Sequence, residues 1–251
     1  MFEVRNEGRV AVITLAHGKA NALDIEFCDA LRKEFKAFRK SDAAAIVITS
    51  AGKIFSAGVD LPRAADGGRK YLKSLVRALD KMYEEIFLHP KPVVAAINGH
   101  AIAGGCVLAC CADYRVLAKG SGRMGVTELL VGVPFPPFSF EVLRATTSPM
   151  HFPKFTASGE TFDTEGALAR GFADEAVAAD RLMPRAMEKA EALAAIQPEA
   201  FRVNKLHTRG LVKQHLGSDR IGIDRQIMKV WTAPETIKNI RAYVARTFKK
   251  P

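Results

Sequence analysis

The 251 residues are 48% hydrophobic and 25% charged at a mean hydropathy of +0.01, a balance that excludes a disordered, collagenous or disulfide-scaffold chain and fits a soluble globular protein. Lys and Arg number 37 against 27 Asp and Glu, a net charge of +10. Residues 181–251 hold 15 of those basic residues and only 6 acidic ones, so +9 of the +10 sits near the C-terminus. The N-terminus MFEVRNEGRV mixes both signs of charge and has no apolar stretch, so it does not read as a signal peptide. Residues 10–16 (VAVITLA) and 45–50 (AIVITS) are short, rich in branched side chains and bounded by Gly or charge, which predicts buried strands. Between them Asp24 is placed to cap a helix whose Phe27, Leu31, Phe35 and Phe38 share a face. A longer helix is expected over about 70–88, with Leu72, Leu75, Val76, Leu79, Met82, Tyr83 and Ile86 in one stripe and His89-Pro90 at its end.

The uncharged run 92–112 is long enough to span a bilayer. Asn98-Gly99 and Gly104-Gly105 interrupt it, favouring a strand at 93–97, a turn, and a small-residue helix from Gly104. Strand 114–118 follows, and then helices dominate at 163–170 (closing on Gly171), about 181–196, 199–216 and 234–248. Strands alternating with long crossovers predict an α/β core with parallel pairing. A boundary near 190 separates a core of residues 1–190 from a helical region of residues 191–251.

Cys28, Cys106, Cys110 and Cys111 lack the second CxxC or His pair of a zinc site and the spacing of a disulfide framework, so no metal site is expected and a reducing cytoplasm is. The basic residues Arg181, Arg185, Lys189, Arg202, Lys205 and Arg209 are dispersed among apolar residues at helical spacing, without stacking aromatics. They read first as solvated helix faces, next as a field that steers a polyanionic small molecule, and last as a nucleic-acid surface.

The chain has no GxGxxG, GxxxxGK[ST], HExxH or GxSxG, which removes the common nicotinamide, P-loop, zincin and serine-hydrolase chemistries. Two turns remain. The first is Gly52-Lys-Ile-Phe-Ser-Ala-Gly-Val-Asp-Leu61, where a buried strand ends; the second is Asn98-Gly-His-Ala-Ile-Ala-Gly-Gly-Cys106. Gly104-Gly105 at a helix start either leaves free N–H groups that suit an oxyanion, or provides a tight turn with a positive φ and close helix-on-sheet packing.

Together these turns resemble the crotonase family (the enoyl-CoA hydratase/isomerase superfamily). FSAGVDL is similar to that family's first signature and AAINGHAIAGGCVLACCADYRVL to its second, in order and separation; weaker likeness lies in GKANALD (18–24) and DTEGALARGFADEAV (163–177). The resemblance implies a spiral of ββα units followed by C-terminal helices that mediate trimerisation, giving a homotrimer or a dimer of trimers. It implies an acyl-CoA thioester substrate with CoA as part of it, no further cofactor, no nucleic acid and no membrane. It places the oxyanion-hole amides on Val59 and Gly104, with Ala57, Gly58, Asp60, Leu61 and Gly105 around the thioester.

In the family's hydratases two glutamates hold the attacking water. The first of those positions is Val107 here, and the second matches Glu128 in GVTELL. A single Glu beside the hole resembles the mitochondrial-type 3,2-enoyl-CoA isomerases, so the resemblance implies isomerisation in fatty-acid β-oxidation, with a hydratase or another enolate-forming acyl-CoA enzyme as the alternative. A catalytically silent CoA-binding or RNA-binding member is the reading outside enzymology. From its neighbours alone, Glu128 is either a base whose pKa an apolar pocket raises or a surface carboxylate. The resemblance offers Lys19 as a contact for the CoA phosphates, with Lys249 or Lys250 as weaker ones, while from the residues alone each reads first as a solvated surface lysine; His89 and His100 read as structural histidines.

Overall fold

The computed structural model describes residues 1–217 and 220–248. Its strands are Phe2–Glu7 (β1), Val10–Leu15 (β2), Ala45–Ser50 (β3), Ile54–Ser56 (β4), Val93–Ile97 (β5), His100–Ile102 (β6), Tyr114–Ala118 (β7), Met124–Gly125 (β8), Thr161–Phe162 (β9) and Glu175–Val177 (β10). One sheet runs β1-β2-β3-β5-β7-β10 and is parallel apart from the β1/β2 hairpin. A smaller sheet runs β4-β6-β8-β9 and is parallel apart from β8/β9. After β3, β5 and β7 the chain crosses to the small sheet, and after β4 and β6 a helical segment brings it back. This is the predicted spiral of ββα turns.

The large sheet explains why its strands read as unbroken apolar runs. In β2, β3 and β5 alternate residues face opposite ways, with Val10, Val12, Ala45, Val47, Val94 and Ala96 packed under the helix Leu182–Ala194. Ala11, Ile13, Ile46, Ile48, Ala95 and Ile97 meet the main core on the other face. Both faces are covered, so neither tolerates polar alternation. The helix Ile25–Phe38 begins where expected, with Asp24 Oδ1 accepting from Phe27 N at 2.7 Å. The apolar stripe of Gly68–Phe87 is buried as predicted. The uncharged run 92–112 is β5, β6 and the buried helix Gly104–Cys110, and no described helix is long and apolar enough to cross a membrane.

Two features differ from expectation. The helix foreseen at 199–216 is two, Pro198–Arg209 and Leu211–Leu216, parted at Gly210. The basic residues on the first are not all solvated: Lys205 is 5% exposed and Arg209 is largely shielded. Both meet Asp113, whose Oδ2 accepts from Lys205 Nζ (2.6 Å) and Val93 N (2.8 Å) and whose Oδ1 lies 3.1 Å from Arg209 Nη2. Arg209 also donates to the carbonyls of Phe87, Cys111 and Ala112, which close the ends of two core helices. Burial pushes the Lys205 ammonium down to about 8, against the pull of Asp113. Removing the carboxylate would strand two buried cations, so Asp113→Ala is expected to cost about 3–5 kcal/mol. A urea titration at pH 7 measures it; a loss under about 1 kcal/mol would show that water reaches the cluster.

Candidate active site

The parallel strands β4, β6 and β8 end side by side, at neighbour spacings of about 4.8 Å. Their carboxyl ends run into Ala57–Asp60, Ala103–Gly104 and Thr127–Glu128, so three successive crossings deliver both expected amides and the expected carboxylate to one end of one small sheet. Ligands in parallel α/β folds bind at such ends. A cavity of about 400 Å³ opens there, walled by Ala57, Val59, Ile102, Gly104, Thr127, Glu128 and mostly apolar neighbours.

Val59 forms an isolated parallel bridge with Leu23, in which Leu23 makes both bonds: its N–H donates to Gly58 O (2.8 Å) and its carbonyl accepts from Asp60 N (3.1 Å). The residue opposite in such a bridge makes no bond across it through its own N–H, and Val59 is one of the cavity's lining residues. The Gly104 N–H belongs to the first turn of its helix and has no intrahelical acceptor. Among the described residues neither N–H finds another partner.

Two backbone features hold them together. Gly58 adopts φ +81°, and a Cβ there would sit 2.9 Å from Ile102 O and 3.0 Å from Gly104 N, so the two turns touch through this glycine. Ala103 is held at φ +51° and ψ −127°, a conformation that costs a residue with a Cβ about 1–3 kcal/mol. Its N–H is tied to Gly125 O (2.8 Å) and its carbonyl to Cys106 and Val107 N. The positive φ of this turn therefore falls one residue before the Gly-Gly pair.

Glu128 opens the short helix Glu128–Val131 and is only 8% exposed. Its Oε2 is buried and has no hydrogen-bond partner among the described residues. Burial outweighs the hydrogen bonds from its own and the Thr127 backbone and pushes the carboxyl up to about 7. A carboxylate with that affinity and a free oxygen is equipped to take and return a proton at neutral pH. Tyr83, also in the wall, is committed: its hydroxyl donates to Gly104 O at 2.9 Å and fixes the peptide behind the amide.

The other expected residues divide. Ala57, Asp60 and Leu61 line the cavity, and Asp60 also caps the helix Leu61–Asp66 by accepting from Arg63 N at 3.0 Å. Gly105 does not reach the cavity. A Cβ on it would lie 2.2 Å from Ser56 O, so this glycine lets the helix pack directly on β4. Lys19 is exposed and stands beside the wall residue Ala20 without joining the wall. Lys249 and Lys250 lie outside the described residues. Val107 is fully buried in the core, away from the cavity. His89 is buried between Phe35 O (3.1 Å) and Lys91, its pKa pushed by burial down to about 3, and His100 accepts from Arg123 N at 3.2 Å. His89 thus sits in the core, and His100 stands exposed at the start of β6. The cavity's far wall was not foreseen: Ser139, Trp231, whose indole donates to Pro134 O at 2.9 Å, and Tyr243. Among the described residues no group of three His, Cys, Asp or Glu is placed to hold a metal.

The family model for enoyl-CoA hydratase/isomerase matches residues 5–247, and the chain belongs to that family. It is similar in fold to human mitochondrial Δ3-Δ2-enoyl-CoA isomerase, with a TM-score of 0.93 at 23% identity over 99% of this chain and 98% of that one. It is also similar to a Mycobacterium tuberculosis protein described in one structure as an enoyl-CoA isomerase and in another as a probable enoyl-CoA hydratase, with a TM-score of 0.78 at 28% identity over 96% and 97% in the first. Among curated proteins, a probable enoyl-CoA hydratase of Mycobacterium bovis is 34% identical over 142 residues, 57% of this chain. The match spans about half (54%) of that relative's length.

Proposed function

We propose that the chain is a Δ3,Δ2-enoyl-CoA isomerase acting on unsaturated intermediates of fatty-acid β-oxidation. The observation that carries this reading is the single unpartnered carboxyl, Glu128, facing the same cavity as the Val59 and Gly104 amides, while Val107 lies in the core. The thioester oxygen would accept from the two N–H groups. Glu128 would remove a proton from carbon 2 of a 3-enoyl thioester, and the electron pair would spread onto the oxygen as a dienolate. The protonated Glu128 would then return the proton to carbon 4, leaving the double bond between carbons 2 and 3. Atoms and electrons balance within the substrate, so CoA enters only as its carrier and no other cofactor is required. Amides set before the reaction lose no reorganisation energy as charge develops, and one such donor contributes about 3–4 kcal/mol.

A hydratase needs a second group to hold and orient water, and Val107 supplies none. The relatives described as hydratases make the comparison worth measuring. With 3-hexenoyl-CoA the enzyme is expected to generate the conjugated-enoyl absorbance, and with crotonyl-CoA its loss is expected to be at least about 10²-fold slower, the value of one positioned proton-transfer group. Faster hydration than isomerisation would overturn the reading. A trimer, or a dimer of trimers, is proposed with it; Val203, Leu206 and Leu211 give the helices at 198–216 exposed apolar surface that an assembly would cover.

A further inference from the structure

Two buried side-chain oxygens of the cavity wall lack a hydrogen-bond partner among the described residues: Glu128 Oε2, used above, and Ser139 Oγ. Ser139 is 2% exposed, on the helix Pro137–Thr146. Thr146, Thr147, Thr156 and Thr232, in or just past helices, each bond the carbonyl four residues back at 2.7 Å. Ser139 stands at the third position of its helix, so the corresponding carbonyl is that of Phe135, ahead of the helix start. The local remedy is missing. Three polar groups of this region bond other partners: Trp231 donates to Pro134 O, Tyr83 to Gly104 O, and Asp80 Oδ1 accepts from Phe138 N at 3.2 Å. The cavity that Ser139 lines is mostly apolar, with Leu79, Val131, Val133 and Pro136 in its wall, and such a wall suits an alkyl chain and would favour Ala over Ser if only an alkyl chain were bound.

We infer that Ser139 is a specificity-determining residue, whose hydroxyl bonds an oxygen carried on the acyl chain beyond the reacting carbons, and that the preferred substrates are oxygen-bearing acyl-CoA thioesters. This rests on the acyl-CoA reading above and narrows its substrate class. An oxygen inside the cavity completes the hydrogen bond of Ser139, whereas a plain chain leaves that hydroxyl shut in with hydrocarbon.

Binding of unreactive saturated thioesters tests this without turnover. Calorimetric titration of hexanoyl-CoA and of its 4-, 5- and 6-hydroxy derivatives is expected to show at least one hydroxylated ligand held about ten-fold more tightly than hexanoyl-CoA, the value of one net hydrogen bond. Ser139→Ala should abolish that preference while binding hexanoyl-CoA at least as well as wild type. Equal affinities in the wild type, or a preference that survives in Ser139→Ala, would overturn the inference. Failure of all four thioesters to bind, or failure to isomerise 3-hexenoyl-CoA, would instead overturn the reading beneath it.

Discussion

Replacing Glu128 by Gln is expected to lower kcat on 3-hexenoyl-CoA by about 10²–10⁴-fold, the usual contribution of a positioned general acid/base, while the affinity for hexanoyl-CoA changes little. Gln matches Glu in shape and leaves the neighbouring backbone in place, but it cannot accept and return the proton. In the proposed isomerisation the same residue would serve carbon 2 and carbon 4, so both half-reactions should fail together, and exchange of the carbon 2 proton with solvent should fall in parallel. Turnover within about ten-fold of wild type would remove Glu128 from the chemistry.

The same substitution has a stability signature. As the proposed base, Glu128 would have to be ionised in the free enzyme, so kcat/KM should rise with pH and level off above a midpoint near 7. Folding runs the other way. The carboxyl is raised from its ordinary 4.5 to about 7, so between those values the native protein keeps a proton that the unfolded chain has lost, and stability falls as pH rises through that window. The whole effect is roughly 3 kcal/mol, from about 2.5 units at 1.36 kcal/mol each. Glu128→Gln should therefore be more stable than wild type at pH 8, with the difference fading toward pH 4. Parallel urea titrations at the two pH values check this, and a pH-independent difference would contradict the burial that sets the pKa.

The large sheet and the capped helices were legible because their signals are local. Val10–Leu15 and Ala45–Ser50 are long enough to show branched runs, and Asp24 caps a helix starting one residue later. The small sheet was not legible, since strands of two or three residues such as Ile54–Ser56 and Met124–Gly125 carry no measurable period. Yet the site stands on the ends of that sheet, and Val59, Gly104 and Glu128 could be placed together only through family resemblance. The misreading of Lys205 has the same origin: its partner Asp113 is 92 residues away, and no window of sequence joins them. Trp231 meets Pro134 across 97 residues. At Gly105 close packing and free approach of a ligand both ask for glycine, and the sequence does not show the neighbour of its missing Cβ, here Ser56 O, that accounts for the packing.

Gly58→Ala tests the amides, which no side-chain substitution can remove. A Cβ at residue 58 would press on Ile102 O and Ala103 Cβ and stand 3.0 Å from Gly104 N, so relief requires the second turn to move away from the first. Misaligning one oxyanion donor costs about 10²–10³-fold in kcat, and that loss is expected with Glu128 and its pH midpoint unchanged. Part of the effect on stability comes simply from φ +81°, about 1–2 kcal/mol for a residue with a Cβ. Gly8→Ala isolates that part: Gly8 has φ +59° in the β1/β2 turn, with nothing within 4 Å of the added carbon. Gly8→Ala should therefore lose a similar amount of stability and keep wild-type kcat. If Gly58→Ala also keeps it, the contact between the two turns is not what holds the enolate, and the stabilising donors must be sought elsewhere in the cavity.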